Sequence, residues 1–499
     1  MKKLFTLVLI ISTTTHLFAQ FKLSGKINNT RQADTLYLNI PFIYGYYHDN
    51  DVAIPVDAQG NFNKTIEVPQ QKFATLSFEG KTSTLLLTPG KALHITLNPA
   101  DTSITNFKGT AAEENRLLYQ VNLNAIPFFL KDNKTSRYEK LPIPELQQHV
   151  VKPWAAMRDN NVSLVQSSGL SANDKKLIIQ EIKASYITRL NDFARVYMKS
   201  DRSQIFNFIE TFYKDVPLNP EILPAGQQYY FFADSYIGYY EILAFKDLPA
   251  EKVKDPSTFL KYYNITIDSG NRVAELKGKS FVKWILVKNN YPKNIAECWL
   301  AQNIFTKCST KDLSQATPLM DELKTHYPQS KYIPYLSAKM NALEVVLAKN
   351  LNNKEIEVAE GYEKMNSIYQ AISKLKGKVV YLDIWGTWCG PCKEELRYNP
   401  ELKQHFKGKD VAFVYLDMDD DEKDGQWRDF IKVNGMTGLH LRKSNKDIQQ
   451  FWAELLPNGG ETRYYPTYFI FNKDGKLVQA DAKRPSDKKD LYKQIEQHL

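Results

Sequence analysis

The chain is poor in cysteine, with four in 499 residues, Cys298, Cys308, Cys389 and Cys392. A fold stapled by many disulfides is thereby excluded, and the core must come from apolar burial, for which 43% hydrophobic residues are ample. Long apolar runs are also missing beyond residue 19, so no later segment approaches the ~20 residues that a membrane-spanning helix needs. Charge of one sign is not concentrated anywhere: the net +9 is spread thinly, and without a basic face nucleic acid is not an expected partner. The acidic run at residues 417–422 lacks the glycine that a calcium loop requires at its sixth position, and reads as a solvated loop.

What the chain does have is Cys389-Gly390-Pro391-Cys392, two thiols three residues apart, flanked by Trp385 and Trp388. The preceding run at 379–384 is rich in β-branched and aromatic residues and reads as a buried strand, and Pro391 suits the first turn of a helix. Cys389 then sits at a helix N-terminus, where unpaired N–H groups and the helix dipole favour a thiolate. Cys392, one turn further in, is expected to be the more buried. Attack by Cys389 on a disulfide gives a mixed disulfide, which Cys392 resolves. Half of a zinc site is the competing reading of such a pair, but a second ligand pair is not evident, so no metal and no cofactor are expected. Cys298 and Cys308 could form a second bridge if they fall on neighbouring helices, but on one straight helix they would be about 15 Å apart, and they read as ordinary buried or structural cysteines.

These residues and their flanks resemble the active site of the thioredoxin superfamily, and most closely the extracytoplasmic TlpA/ResA-like thiol-disulfide oxidoreductases. The resemblance runs from about residue 372 to the end. It implies a redox-active Cys389–Cys392 disulfide with Asp383 as a buried carboxylate that takes the proton of Cys392. It also offers Glu395 as a candidate second carboxylate, although an exposed first-turn glutamate fits that position equally well. Tyr465-Pro466-Thr467 resembles the cis-proline loop of the superfamily, which together with Trp388 positions an extended substrate peptide. The implied order of elements includes a strand at 411–416, a helix at 427–433, a hairpin of 468–471 with 476–480 around a turn at 472–475, and a closing helix at 487–499. An extra strand and helix between 416 and 465 match the TlpA-like insertion. One departure stands out: Arg397 occupies a position where these families place a helix-kinking proline, so the helix is expected to bend later, near Pro400, or less.

Ahead of this region the character changes twice. Met1-Lys2-Lys3, a brief apolar core and small residues before Gln20 read as a secretory signal over 1–19, which implies an exported, periplasmic, soluble protein. Short runs at 36–38, 62–68, 73–78, 83–87 and 93–97, separated by turn residues, predict an antiparallel β-sandwich over 20–109. It loosely resembles a β-domain often found ahead of TlpA-like modules. From 110 to 362 helical periodicity takes over. Ser171 with Asp174 marks a start, and Leu177, Ile178, Ile182, Tyr186, Leu190 and Phe193 follow at helical spacing. Tyr229, Phe232, Tyr236 and Tyr240 form a stripe that reads as core packing, and 313–325 with 332–349 reads as a helical hairpin.

The expected chain is therefore multidomain, with an N-terminal β-sandwich, a helical middle and an α/β thioredoxin-like domain over 363–499. The resemblance implies an enzyme that reduces protein disulfides, apocytochromes among the candidate substrates, with electrons from a membrane donor protein. A disulfide oxidase or isomerase of the same fold, or an exported binding protein with a secondary redox module, are the alternatives.

Overall fold

The computed structural model describes residues 20–28, 35–98, 100, 103–130, 137–214, 216–420, 423–444, 447–456 and 464–499. The expected secretory signal lies outside the described residues. The chain divides into two compact units, Met1–Gln302 and Asn303–Leu499.

In the first unit, Gln20–Ile27 alternates buried Phe21, Leu23 and Ile27 with lysines on the open face, as a half-buried strand does. It is flanked by Asn61–Glu67 and Ala92–Leu97, with Ile104–Lys108 at the edge. A second four-stranded sheet has the order Asp51–Pro55, Thr35–Asn39, Lys72–Phe78, Lys81–Leu87. One hydrophobic core joins both sheets through Phe21, Leu36, Ile54, Phe62, Leu76 and Leu85. Gly25 is essential here, because a Cβ would lie 2.4 Å from the Phe62 ring. The expectation of a wholly antiparallel arrangement is corrected, since Gln20–Ile27 runs parallel to Ala92–Leu97. Parallel neighbours need a long crossover, and here the chain traverses the other sheet between the two strands.

The helix Ala172–Val196 starts where Ser171 Oγ accepts the Asp174 N–H at 3.1 Å. Gln227–Phe245 is capped from a distance by buried Glu181, whose carboxylate accepts N–H bonds from Gly226 (3.0 Å) and Gln228 (2.7 Å). Its aromatic stripe is core: Tyr229, Phe232 and Tyr236 are buried, and Phe232 stacks on Tyr213 with centroids 6.0 Å apart. Cys298 and Cys308 share the helix Lys293–Ser309, and neither is in a disulfide. Among the described residues no helix is long and apolar enough to cross a membrane.

The second unit contains the helices Leu313–His326 and Ile333–Asn350 and a six-stranded sheet. Its order is Ile356–Val358, Gly438–Arg442, Val411–Asp417, Val379–Trp385, Thr467–Phe471, Leu477–Ala480; the first four strands are mutually parallel, Thr467–Phe471 pairs antiparallel to Val379–Trp385, and Leu477–Ala480 pairs antiparallel to Thr467–Phe471. Val379–Trp385 is central and buried along its whole length. Val380, Leu382 and Ile384 feed the core on one face, and Val379 and Tyr381 that on the other. A strand covered on both sides has no wet face, which is why its sequence is continuously apolar apart from Asp383. The insertion supplies the strand Gly438–Arg442 and the helix Gln449–Leu455, and the closing helix is Lys489–Glu496, shorter than expected.

The helix after the dithiol is interrupted at Arg397 itself, correcting the expectation of a later or weaker bend. Gly390–Glu395 is followed by a 3-10 turn at Leu396–Tyr398 and then by Asn399–His405. Pro400 explains the place: it offers no N–H to the Leu396 carbonyl four residues earlier, and its ring crowds that oxygen, so the break falls one turn before the proline.

Candidate active site

The central strand ends at Trp385, and the chain turns so that Cys389 N–H donates to Gly386 O at 3.0 Å. Cys389 is the N-cap of Gly390–Glu395, its sulfur accepting the Cys392 N–H at 3.2 Å, while Pro391 occupies a first-turn position that needs no donor. The two sulfurs are joined as a disulfide, with Cα atoms 5.3 Å apart. Both cysteines are buried in this closed state, Cys389 at 4% and Cys392 at 2% exposure, so the expected difference in depth is slight. Half-exposed Trp388 lies edge-on to Tyr465, ring centroids 5.5 Å apart. Gly386 makes room for that indole, because a Cβ would stand 2.7 Å from Trp388 Nε1. The Tyr465–Pro466 bond is cis, Pro466 and Thr467 are buried, and the Thr467 hydroxyl donates to the Tyr464 carbonyl. Tyr465 packs on the apolar cluster that holds both cysteines.

Asp383 is buried in the central strand, and its Oδ1 has no hydrogen-bond partner. Burial pushes its carboxyl well above the usual range, the charge of Glu395 pushes it further, and Lys403 opposes them. Glu395 is itself buried, which overturns the alternative of an exposed glutamate. It accepts hydrogen bonds from the Ser486 N–H (3.0 Å) and hydroxyl (2.9 Å).

Lys403, which sequence reasoning missed, completes this group. Burial pushes its amine down to about 7, with the charges of Asp383 and Glu355 resisting. It donates to the Thr437 carbonyl and hydroxyl and lies over the rings of Tyr415 (5.1 Å) and Phe413 (5.5 Å). Together with Asn399 it lines a cleft of about 630 Å³ beside the active-site helix. His440, stacked on Tyr415 at 4.8 Å, is pushed down to about 3 by burial and is therefore neutral.

Residues 363–495 match the family model described as Redoxin. The thiol-disulfide oxidoreductase ResA of Bacillus anthracis is 36% identical over 109 residues, 22% of this chain and 57% of that protein. Over residues 363–495 the chain is thus similar to a thioredoxin-superfamily module of the ResA kind. ResA of Bacillus subtilis (strain 168) is 29% identical over 129 residues, covering 24% of this chain and 66% of that one. The chain thus spans little more than half the length of the first of these relatives. A solved thioredoxin domain of a thiol-disulfide oxidoreductase from Bacteroides vulgatus aligns with 25% of this chain and 81% of its own, at 22% identity and a TM-score of 0.21.

The thioredoxin-like module also corrects the expectation for the acidic run. Asp417 ends its strand fully buried, and Met418 and Asp419 follow at 2% and 1% exposure. The chain is held inward because Met418 N–H donates to Trp385 O at 3.0 Å and Asp419 N–H donates to Asp417 Oδ1 at 2.9 Å. Burial raises both carboxyls. Asp419 accepts the N–H and the hydroxyl of Thr387, two residues before Cys389, and so fixes the active-site loop. Neither Lys403 nor Asp419 stands at a short, patterned spacing from the dithiol; the strand preceding the acidic run was the only signal, because a strand end beside the central strand carries its next residues under the loop.

Proposed function

We propose that this chain is an exported thiol-disulfide oxidoreductase that reduces protein disulfides. The observation that carries the reading is a Cys389–Cys392 pair at the start of a helix, in the same apolar cluster as the central strand, with a buried carboxyl at Asp383 whose proton affinity is raised. In the reduced state the Cys389 thiolate attacks a substrate disulfide and expels one substrate sulfur as a thiolate. Asp383 takes the proton of Cys392, whose sulfur then attacks Cys389 Sγ; the Cys389–substrate bond breaks, and two electrons have passed to the substrate. Trp388, Tyr465, Pro466 and Thr467 position the substrate chain. The charge of Glu395 strengthens Asp383 as a base for the resolving step.

The basic-apolar start at residues 1–19 supports export to the periplasm, and the division into segments 20–109, 110–362 and 363–499 has its last boundary supported by the Redoxin match at 363–495. A reductase working in an oxidising compartment needs electrons from a membrane donor protein, and apocytochromes are a fitting substrate class. Insulin reduction by the full chain tests the activity: wild type should accelerate turbidity and Cys389→Ser should not. A redox potential as high as that of disulfide-forming enzymes, about −120 mV, would reverse the direction to oxidase.

A further inference from the structure

Lys393 directly follows Cys392, and its ammonium does not extend into water. It lies 3.3 Å from Asp312 Oδ2, in an ion pair whose side chains are only 11% and 6% exposed. On its other side it rests 5.1 Å from the Phe430 ring, which packs on Trp385 at 5.4 Å, and both rings belong to the cluster that contains the two cysteines. Asp419, which holds Thr387, also feels the Lys393 charge. The cation that follows the dithiol in sequence is thus paired with a carboxylate from outside the thioredoxin-like module, and its charge also acts on Asp419 within it.

Asp312 is built to stay in place. It caps the helix Leu313–His326: Oδ1 accepts the Gln315 N–H (3.3 Å) and the Ser314 hydroxyl (2.8 Å), and Oδ2 accepts Gln315 Nε2 (2.8 Å). Burial pushes its carboxyl up, but the charges of Lys393 and Lys307 and the hydrogen bonds from Ser314 and Lys393 outweigh it and hold the group below its ordinary value. A charge pair in a site screened from water interacts far more strongly than on a surface.

We propose that Asp312 is a positioning residue for the dithiol: it pins the Lys393 ammonium, and so limits how strongly that cation stabilises the Cys389 thiolate. This rests on the oxidoreductase reading above. The helical hairpin thereby sets the redox poise of a module to which it does not belong in sequence. A thiolate stabilised less keeps the reduced dithiol a better electron donor.

The test uses the full chain carrying Asp312→Asn, which removes the charge but keeps an equally good N-cap. The pH dependence of Cys389 alkylation in the reduced protein and the equilibrium with glutathione are measured. Asp312→Asn should lower the alkylation midpoint by about one pH unit and shift the equilibrium about tenfold towards the dithiol, about 30 mV for this two-electron couple. Lys393→Met alone should move both the opposite way, and on that background Asp312→Asn should change neither. Shifts under twofold, or equal shifts with and without Lys393, overturn the proposal, and if Asp312→Asn fails to fold, an unchanged midpoint in Lys393→Met overturns it. Wild type that neither reduces insulin nor alkylates faster than free cysteine overturns the oxidoreductase reading instead, so the two failures are distinct.

Discussion

The ammonium of Lys403 lies 5.1 Å from the ring centroid of Tyr415, the residue directly across from Asp383 in the neighbouring strand. The lysine thus comes to the buried carboxyl from the helix side while Glu395 bears on it with the opposite sign. Lys403→Met should raise the Asp383 midpoint and Glu395→Gln should lower it. Insulin-reduction profiles against pH should therefore shift to the alkaline side in the first variant and to the acid side in the second. Equal shifts in one direction would refute the assignment.

The Lys403 amine also predicts a stability signature. Its folded value of about 7 lies below the ordinary 10.5, so between those pH values the unfolded chain binds more protons than the folded one. The cost of burying the cation is fully present below pH 7 and disappears as pH rises through this window. Urea unfolding should show Lys403→Met gaining stability relative to wild type at pH 6.5, with the gap closing towards pH 10.

Asp383 has the reverse sign. Its carboxyl is raised, so above about pH 4 the folded state keeps a proton that the unfolded state releases, and stability falls as pH increases until the folded group ionises. Asp383→Asn removes this cost. The variant should match wild type at pH 4 and exceed it by a margin that grows as pH rises towards 8, read by urea unfolding at each pH. Its resolving step, read by quenched mixed-disulfide kinetics, should slow by roughly 100-fold.

The two sulfurs divide the labour. Cys389→Ser should abolish insulin reduction, whereas Cys392→Ser should accumulate a covalent complex between Cys389 and a substrate peptide, visible by non-reducing electrophoresis and released by dithiothreitol. Absence of that complex would count against the assignment of Cys389 as the attacking group.

Much of the site was legible because its parts are contiguous. The apolar run at 379–384, the cysteine spacing and Pro391 lie within fourteen residues and act through local rules: strand burial, helix start and a missing N–H. In the first unit, five strands with clear turn residues between them were readable. Gln20–Ile27, Asp51–Pro55 and Ile104–Lys108 were not, being lysine-bearing or short and set at the margins of obvious turns. Composition misled at Asp417 and Asp419, where acidity suggested water and packing under the active-site loop imposed burial.

The sequence by itself determined the reacting pair and its position at a helix start, since covalent spacing and backbone geometry act over a few residues. Only the tertiary structure decided which charges surround that pair: Glu395 and Lys403 about Asp383, and Asp312 against Lys393 from 81 residues away. Coulomb interactions act through space, and their strength depends on how far packing excludes water, neither of which a linear pattern contains.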